Sequence, residues 1–534
     1  MTGELRLSPA AHSDTVAAVK RGGSPLRLGV TLDCAHVPAW VAWILTEIEA
    51  RPALSLDVAM LTGDRPPQSR GLFSLYESLD RRMFGVEPDA LAPVDVSSLI
   101  SSRTGDITAD EDLDVLLWLA AGEPDDKILS IPRHGVWRYR HGAGGPPLFS
   151  ELASGTAASE TVLEIVGGDI LYRSVAATDV ISLHRNRVPV LWKSARFVIR
   201  RLEDLANGVW QPNGERPQPT AQAPAPPSGA QTLLHVGRIA ARATSRKLRT
   251  AAFQHQWFLG VRPRIADRMP YEDPGPWREV VPPPDRSYAD PFVVAHGDET
   301  YLFLELLEHS TGCGRLAVGR IEADGRLTGV EPILPMAHHT SYPYVFRDGG
   351  GMFMIPETGD AARVELFAAT DFPTGWERVA TLLEGANAVD ATVIAHDGRY
   401  WMWVTIAVPG GRLQDETFLY WSDRLDGGWT PHPRNPVVSD ARRARPAGRP
   451  FMCRGSLIRP SQNCTGRYGE RVMFNEVETL TEGDYRERPC GWLGRDWASR
   501  ANLAAHTYTF DGRWEATDGL RTFPRLAPRR RAAG

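Results

Sequence analysis

YADPFVV (288–294), SYPYVF (341–346), VDATVI (389–394) and GSLIRP (455–460) decide the reading of this chain. Each is a short run of β-branched and aromatic residues that opens on or beside a polar one, and the runs recur at about 50 residues. A turn and a second strand follow each: TYLFLEL (300–306), GMFMIPE (351–357), RYWMWVT (399–405) and RVMFNEV (471–477). Three units then show a third strand, in RLAVGRI (315–321), VELFAAT (364–370) and TFLYWSD (417–423). Asp348-Gly349, Asp397-Gly398 and Asp511-Gly512 sit between apolar runs, which is a hairpin signal. A fifth unit is read in LAAHTYTFDGRW (503–514), closed by WFLGV (257–261). Four repeats and a split fifth predict an all-β five-bladed propeller over 253–526, with the first strand of each unit lining an axial channel.

Working outward, residues 211–231 (QPNGERPQPTAQAPAPPSGAQ) have no apolar periodicity and too little apolar surface to offset their ordering entropy. They predict a Pro/Ala-rich linker over 208–232. Residues 233–252 (LLHVGRIAARATSRKLRTAA) predict a basic helix with Leu233, Val236, Ile239 and Leu248 as its apolar points. Such a helix packs on a neighbouring domain or makes peripheral contact with a membrane. Residues 527–534 are expected as a basic tail carrying Arg529–Arg531.

The first 207 residues alternate strand and helix signals. LRLGVTL (26–32), LSLDVAML (54–61), DVLLWL (114–119) and GVWRY (135–139) read as strands, and PAWVAWILTEIEA (38–50) as a helix. The alternation predicts an α/β domain with a largely parallel sheet. The expected fold class is therefore multidomain.

Composition narrows the function. Sixty basic and 65 acidic residues leave a formal charge of -5, too near neutral to argue for nucleic acid. Apolar residues make up 42%, ordinary for a globular chain, and no apolar run is long enough to cross a membrane as a helix. Cys34, Cys313, Cys453, Cys464 and Cys490 form no CxxC pair, and the first residues show no secretory pattern, so the expected setting is cytoplasmic.

The candidate chemistry lies at the starts of the inner strands. Asp290 and Asp390 head two of them and would meet at the channel mouth, where neighbouring carboxylates push their pKa values apart, as acid/base work on an acetal requires. The alternative is that each caps a turn. Glu305, Glu357 and Glu476 lie in apolar second strands, where an acid is costly unless paired or used. Glu357 and Glu476 are the acid candidates. Glu305, His339, Ser341, Tyr342, Arg454, Arg459 and Gln462 are candidate substrate contacts. The His338–His339 pair lacks metal-ligand spacing, and no motif calls for a metal or a cofactor.

The ADP at 289–291 and the VD at 389–390 resemble the five-bladed glycoside hydrolases of families 43 and 32. In family 43 the resemblance implies a catalytic base at Asp290 and an acidity-tuning Asp at Asp390. The family's general-acid Glu heads the fourth blade, whose strand here reads GSLIRPSQ, without a carboxylate. SYPYVF, MIPET, FPTGWE (372–377), PHPRNPV (431–437), RPAG (445–448) and RPSQNCTGRYG (459–469) resemble the N-terminal domain of the plant glucosamine inositolphosphorylceramide transferases and its bacterial relatives. In the plant enzymes that domain accompanies a separate glycosyltransferase domain, which is not found in this sequence. Residues 112–155 and GGDILYRS (167–174) resemble the Rossmann-type formyltransferase fold. That family's Asn-x-His pair aligns with Arg138 and Arg140, with His141 one place off and no carboxylate aligned near Val166, which implies an inactive domain.

The leading expectation is a carbohydrate-active enzyme making or breaking a glycosidic bond in cell-surface glycan or glycolipid metabolism, with a sugar, glycoside or nucleotide sugar as substrate. The alternatives are a non-catalytic sugar-binding propeller with a scaffold domain, and a sugar-amine N-formyltransferase.

Overall fold

Four four-stranded antiparallel sheets and one of five strands make up the C-terminal half, and one mixed six-stranded sheet most of the N-terminal half, in a computed structural model. It describes residues 24–63, 71–108, 111–142, 146–209, 227–273, 275–499 and 501–525. Most of the expected linker (210–226) and the basic tail (527–534) lie outside the described residues. The chain divides into two units, the main boundary falling between Ser245 and Arg246, with Val408–Arg412 grouped with the N-terminal one.

In the first unit the sheet order is Leu54–Leu61, Leu26–Leu32, Val115–Trp118, Val136–His141, Ala158–Ile165, Ile170–Ala177. The first four strands are parallel, Ala158–Ile165 runs antiparallel to Val136–His141, and a hairpin at Gly167, whose φ of 74° suits glycine, joins it to Ile170–Ala177. The expectation of a largely parallel sheet holds for those four strands. Periodicity marks strands without their direction, so the antiparallel pair was not legible. The helix Ala39–Glu49 buries Val41, Ile44, Leu45 and Ile48 against Leu28, Val30 and Phe197 of the same core. Phe197 comes from the helix Leu183–Ala206, whose Ser182 cap accepts from the Arg185 amide.

The basic helix runs Gly229–Ala252. Its buried residues are Thr232 and His235, while Leu233, Val236 and Leu248 are exposed. The expected apolar stripe is therefore not the face that packs, apart from Ile239, which lies against Phe73, Tyr76 and Leu152. No described helix is long and apolar enough to cross a membrane.

In the second unit each sheet is one blade, counted here from its inner strand outward. Blade one is Arg286–His296, Glu299–Glu308, Gly314–Ile321 and Leu327–Pro332. Blade two is Ser341–Asp348, Gly351–Glu357, Arg363–Asp371 and Gly375–Glu384. Blade three is Ala388–His396, Arg399–Ile406, Glu416–Ser422 and Thr430–Pro431. Blade four is Phe451–Cys453, Ser456–Asn463, Arg471–Leu480 and Tyr485–Leu493. Blade five joins both ends of the propeller: Tyr508–Asp511 and Trp514–Pro524, then Phe253–Pro263 and Arg278–Val280. Phe253 lies opposite Pro524 and Pro263 opposite Trp514, so closure hides edges that would otherwise template aggregation. The facing blades pack Phe292, Phe303, Tyr344, Met354 and Met402 into one core, each such side chain contributing roughly 1.5–3 kcal/mol.

One expectation is corrected. GSLIRP lies in the second strand of blade four and RVMFNEV in the third. The inner strand is Phe451–Cys453, approached through Arg445–Pro450, where Pro446 bridges to Ser461. Two prolines and Gly448 (φ 126°) give that run the composition of a loop, which hid it from pattern reading.

Candidate functional site

Three inner strands carry the same irregularity near their starts. Pairing slips by one residue between Ala289 and Phe292, between Ser341 and Tyr344, and between Val389 and Thr392. Asp290, Tyr342 and Asp390 sit in these bulges with φ of 48°, 47° and 55°. Left-handed backbone is unfavourable for such residues, and bulges of this kind re-aim a side chain. The next residue in two cases is proline, which has no N–H to lose from the ladder. The bulges are the local device that brings Asp290, Tyr342 and Asp390 together.

Asp290 and Asp390 belong to one cluster of buried ions. Asp290 accepts from the Thr507 hydroxyl (2.8 Å) and the Tyr342 amide (3.2 Å), and His506 Nε2 lies 3.3 Å from it. His506 Nδ1 is 2.5 Å from Asp518, which also accepts from the amides of Asp290, His506 and Thr507. Asp390 is gripped by the Arg445 fork (2.5 and 3.2 Å) and by the Gln462 amide (3.2 Å). Arg445 also reaches Glu357 (3.2 Å) and lies over the Tyr468 ring. Glu305 faces His339 Nε2 at 3.5 Å, and His339 Nδ1 accepts from the Gly314 amide. A Cβ at Gly314 would lie 2.2 Å from the Glu305 carboxylate, so only glycine permits this approach.

Asp290 and Asp390 are almost fully buried, whereas the Glu305 and Glu357 side chains keep 12% and 14% of their exposure. The second-strand glutamates are therefore the acids nearer to solvent.

Five acids meet two cationic side chains, Arg445 and His506, so full ionisation is opposed. Burial, then Asp290, pushes the Glu305 carboxyl up to about 8. Burial and Asp390 hold Glu357 well above its usual range against the pull of Arg445. Burial also raises Asp290, against the pull of His506. Burial alone would lower His506, but Asp518 and Asp290 raise it from 6.5 to about 9. Because the folded protein holds this proton more tightly, His506 contributes stability fully below about 6.5 and loses it as pH rises through about 9. Thermal melts of the wild type should decline across that window, and His506→Gln should flatten the decline; an equal slope in both would refute the assignment.

Asp290, His506 and Asp518 offer ligand atoms within 4.8 Å of one another. The imidazole bridges the two carboxylates, Nε2 towards Asp290 and Nδ1 towards Asp518.

Other expected residues stand as follows. Ser341 is buried at the start of blade two, opposite Glu357 in the pairing. Tyr342 is fully buried, its hydroxyl bonded to Thr392 (2.9 Å) and the Gly448 amide (2.8 Å). Glu476 is on the third strand of blade four, with Ser456 and Arg488. Arg459 is locked inside blade four by Glu487 (2.7 Å). Arg454 is exposed in the turn after Cys453 and pairs with Glu272. The structure does not bring these three to the axial cluster: Glu476 and Arg459 are engaged by Arg488 and Glu487 within blade four, and Arg454 lies in an exposed turn.

Arg445, Tyr468, His506 and Asp518 were not anticipated. Arg445 and Tyr468 lie within RPAG and RPSQNCTGRYG, two of the segments that carry the resemblance. His506 and Asp518 are polar residues in the apolar fifth unit, a costly placement that was the available signal.

In the first unit Arg138 pairs with Glu164 (3.0 Å) and Arg140 lies 3.4 Å from it. His141 stacks on Tyr139, and burial lowers its pKa to about 4.

The second unit is a five-bladed propeller with a buried acidic cluster on its axis. Residues 281–497 match the family described as glucosamine inositolphosphorylceramide transferase 1, N-terminal. Glucosamine inositolphosphorylceramide transferase 1 of Arabidopsis thaliana is 32% identical over 210 residues, 38% of this chain and 27% of the relative. The protein of that name from Oryza sativa subsp. japonica is 32% identical over 227 residues, 41% of this chain and 30% of the relative. The chain thus spans less than a third of the length of these relatives. Among solved structures, a thermostable family-43 glycoside hydrolase is similar at 12% identity and TM-score 0.30, over 38% of this chain and 75% of that one. A family 117 glycoside hydrolase from Zobellia galactanivorans is similar at 11% identity and TM-score 0.32, over 51% and 91%.

Proposed function

We propose that the propeller makes or breaks a glycosidic bond at the mouth formed by Glu305, Glu357, Arg445 and Tyr468. The observation that carries this reading is the convergence of acids from blades one, two and three on one axis. Clusters of buried acids with perturbed pKa values are typical of acid/base sites. Glu305, protonated up to about 8, gives a proton to the leaving oxygen. Asp290 is the base beneath it, its orientation held by Thr507 and the Tyr342 amide. Arg445 neutralises Asp390 and clamps substrate hydroxyls with the donors left on its fork.

The proposed substrate class, suggested by the name of the family matched over 281–497, is a sugar donor with a glycolipid acceptor. The test is to incubate the full chain with nucleotide sugars and glycosides and follow products by mass spectrometry. Turnover is expected in the wild type and lost in Asp290→Ala and in Asp290→Asn, which keeps the side chain's shape. Turnover that survives both changes would remove the assignment.

A binding-only propeller is the second reading, favoured by the grip of Arg445 and Gln462 on Asp390. It predicts sugar binding without turnover. For the first unit we propose a formyltransferase-like scaffold without that family's chemistry, since the aligned arginines are engaged by Glu164.

A further inference from the structure

We infer that the propeller holds a second site, for a neutral sugar or polyol, at the end of its axis opposite the acidic cluster. The inner strands run on from the bulges, and all five blades contribute to a cup there. Val294, Phe346, Ile394, Arg449 and Asp511, one from each blade, line a cavity of about 290 Å³. That is close to the lower end of ligand pockets, roughly 300–1,000 Å³. Between the cup and the acidic cluster lie Phe292, Tyr342 and Tyr344, in edge-to-face contact at 4.9 and 5.6 Å. A molecule in the cup is thereby separated from Asp290 and Asp390.

The wall carries four ions that do not pair with one another. Arg347 donates to the Ala295 carbonyl (3.0 Å) and Arg449 to the Val345 carbonyl (2.5 Å). Neither has a carboxylate partner among the described residues. The Arg449 Nε–H is buried and has no acceptor. Asp348 accepts from the Tyr400 hydroxyl (2.9 Å), and Asp511 from the amides of Ala295 and Gly512 (2.9 Å each). Arg449 also donates to the Tyr344 hydroxyl and both Asp511 oxygens accept an amide, so the guanidinium donors of Arg347 and the second oxygen of Asp348 are the groups left for a ligand in this small cup.

The mixture of signs selects the ligand. An anion would be drawn by the arginines and repelled by the aspartates, and a cation the reverse. A hydroxyl both accepts from a guanidinium and donates to a carboxylate, so vicinal hydroxyls use both sets at once. Phe346, Tyr344 and Met352 add an apolar surface for the C–H face of a ring.

The test is calorimetric titration of the full chain with glucose, galactose, N-acetylglucosamine and myo-inositol, and with inorganic phosphate as a comparator. Arg347→Ala removes an exposed side chain, and Asp348→Asn keeps an acceptor for Tyr400, so both should fold. Binding of at least one neutral compound is expected, weakened about tenfold or more by each change, which is about 1.4 kcal/mol, and unaltered by Asp290→Ala. Three outcomes would overturn the inference: no neutral compound binding, phosphate binding more tightly than any of them, or binding that is lost only in Asp290→Ala. Loss of turnover in Asp290→Ala with this binding intact keeps the two sites distinguishable.

Discussion

Replacing Arg445 by alanine should lower the stability of the propeller by about 3–5 kcal/mol, the usual cost of breaking a buried ion pair from one side. Arg445 holds Asp390 through two contacts at 2.5 and 3.2 Å and Glu357 through one at 3.2 Å. Removing it leaves two largely buried acids without their cation, with the Gln462 amide and the Glu357 carboxyl as the remaining side-chain partners of Asp390. The effect is one of stranded charge more than of lost packing, so the double variant Arg445→Ala/Asp390→Asn should recover part of the loss. Urea unfolding of the single and double variants measures this. A loss under about 1 kcal/mol would mean that water already screens the pair, as it does at a surface.

Glu305→Gln should reduce turnover by roughly 100- to 10,000-fold, the usual contribution of a positioned general acid. In the wild type the acid is present below about 8, so the rate should fall as pH rises through that value. The glutamine variant should lose this alkaline limb. The same group has a stability signature of its own. Its carboxyl titrates near 4.5 when unperturbed and near 8 in the fold, so the folded state binds the proton more tightly. Its contribution is full below about 4.5 and lost as pH rises through about 8; Glu305→Gln removes that slope. A rate profile unchanged in Glu305→Gln would transfer the acid role to Glu357, the other acid with residual exposure at this mouth.

The blades were legible because each alternates apolar and polar residues over a short run and turns on a tight pair. Asp397-Gly398 shows why: both residues have positive φ, 49° and 77°, as a two-residue hairpin loop requires. The strands of the first unit were legible for the same local reason. Asp290 and Asp390 were legible because an acid at the start of an apolar strand is expensive.

What was hidden is of another kind. Blade four begins on a run with two prolines and a glycine, and its inner strand is recognisable by its pairing alone. Arg445 finds Asp390 across 55 residues, and Thr507 finds Asp290 across 217. Composition and period, which depend on neighbours in the chain, determined that this protein would build repeated sheets with acids near their inner ends. Which acids meet, which cation stands between them and which of them stays near solvent were decided by ring closure and by the left-handed bulges at Asp290, Tyr342 and Asp390, because charge and burial depend on neighbours in space.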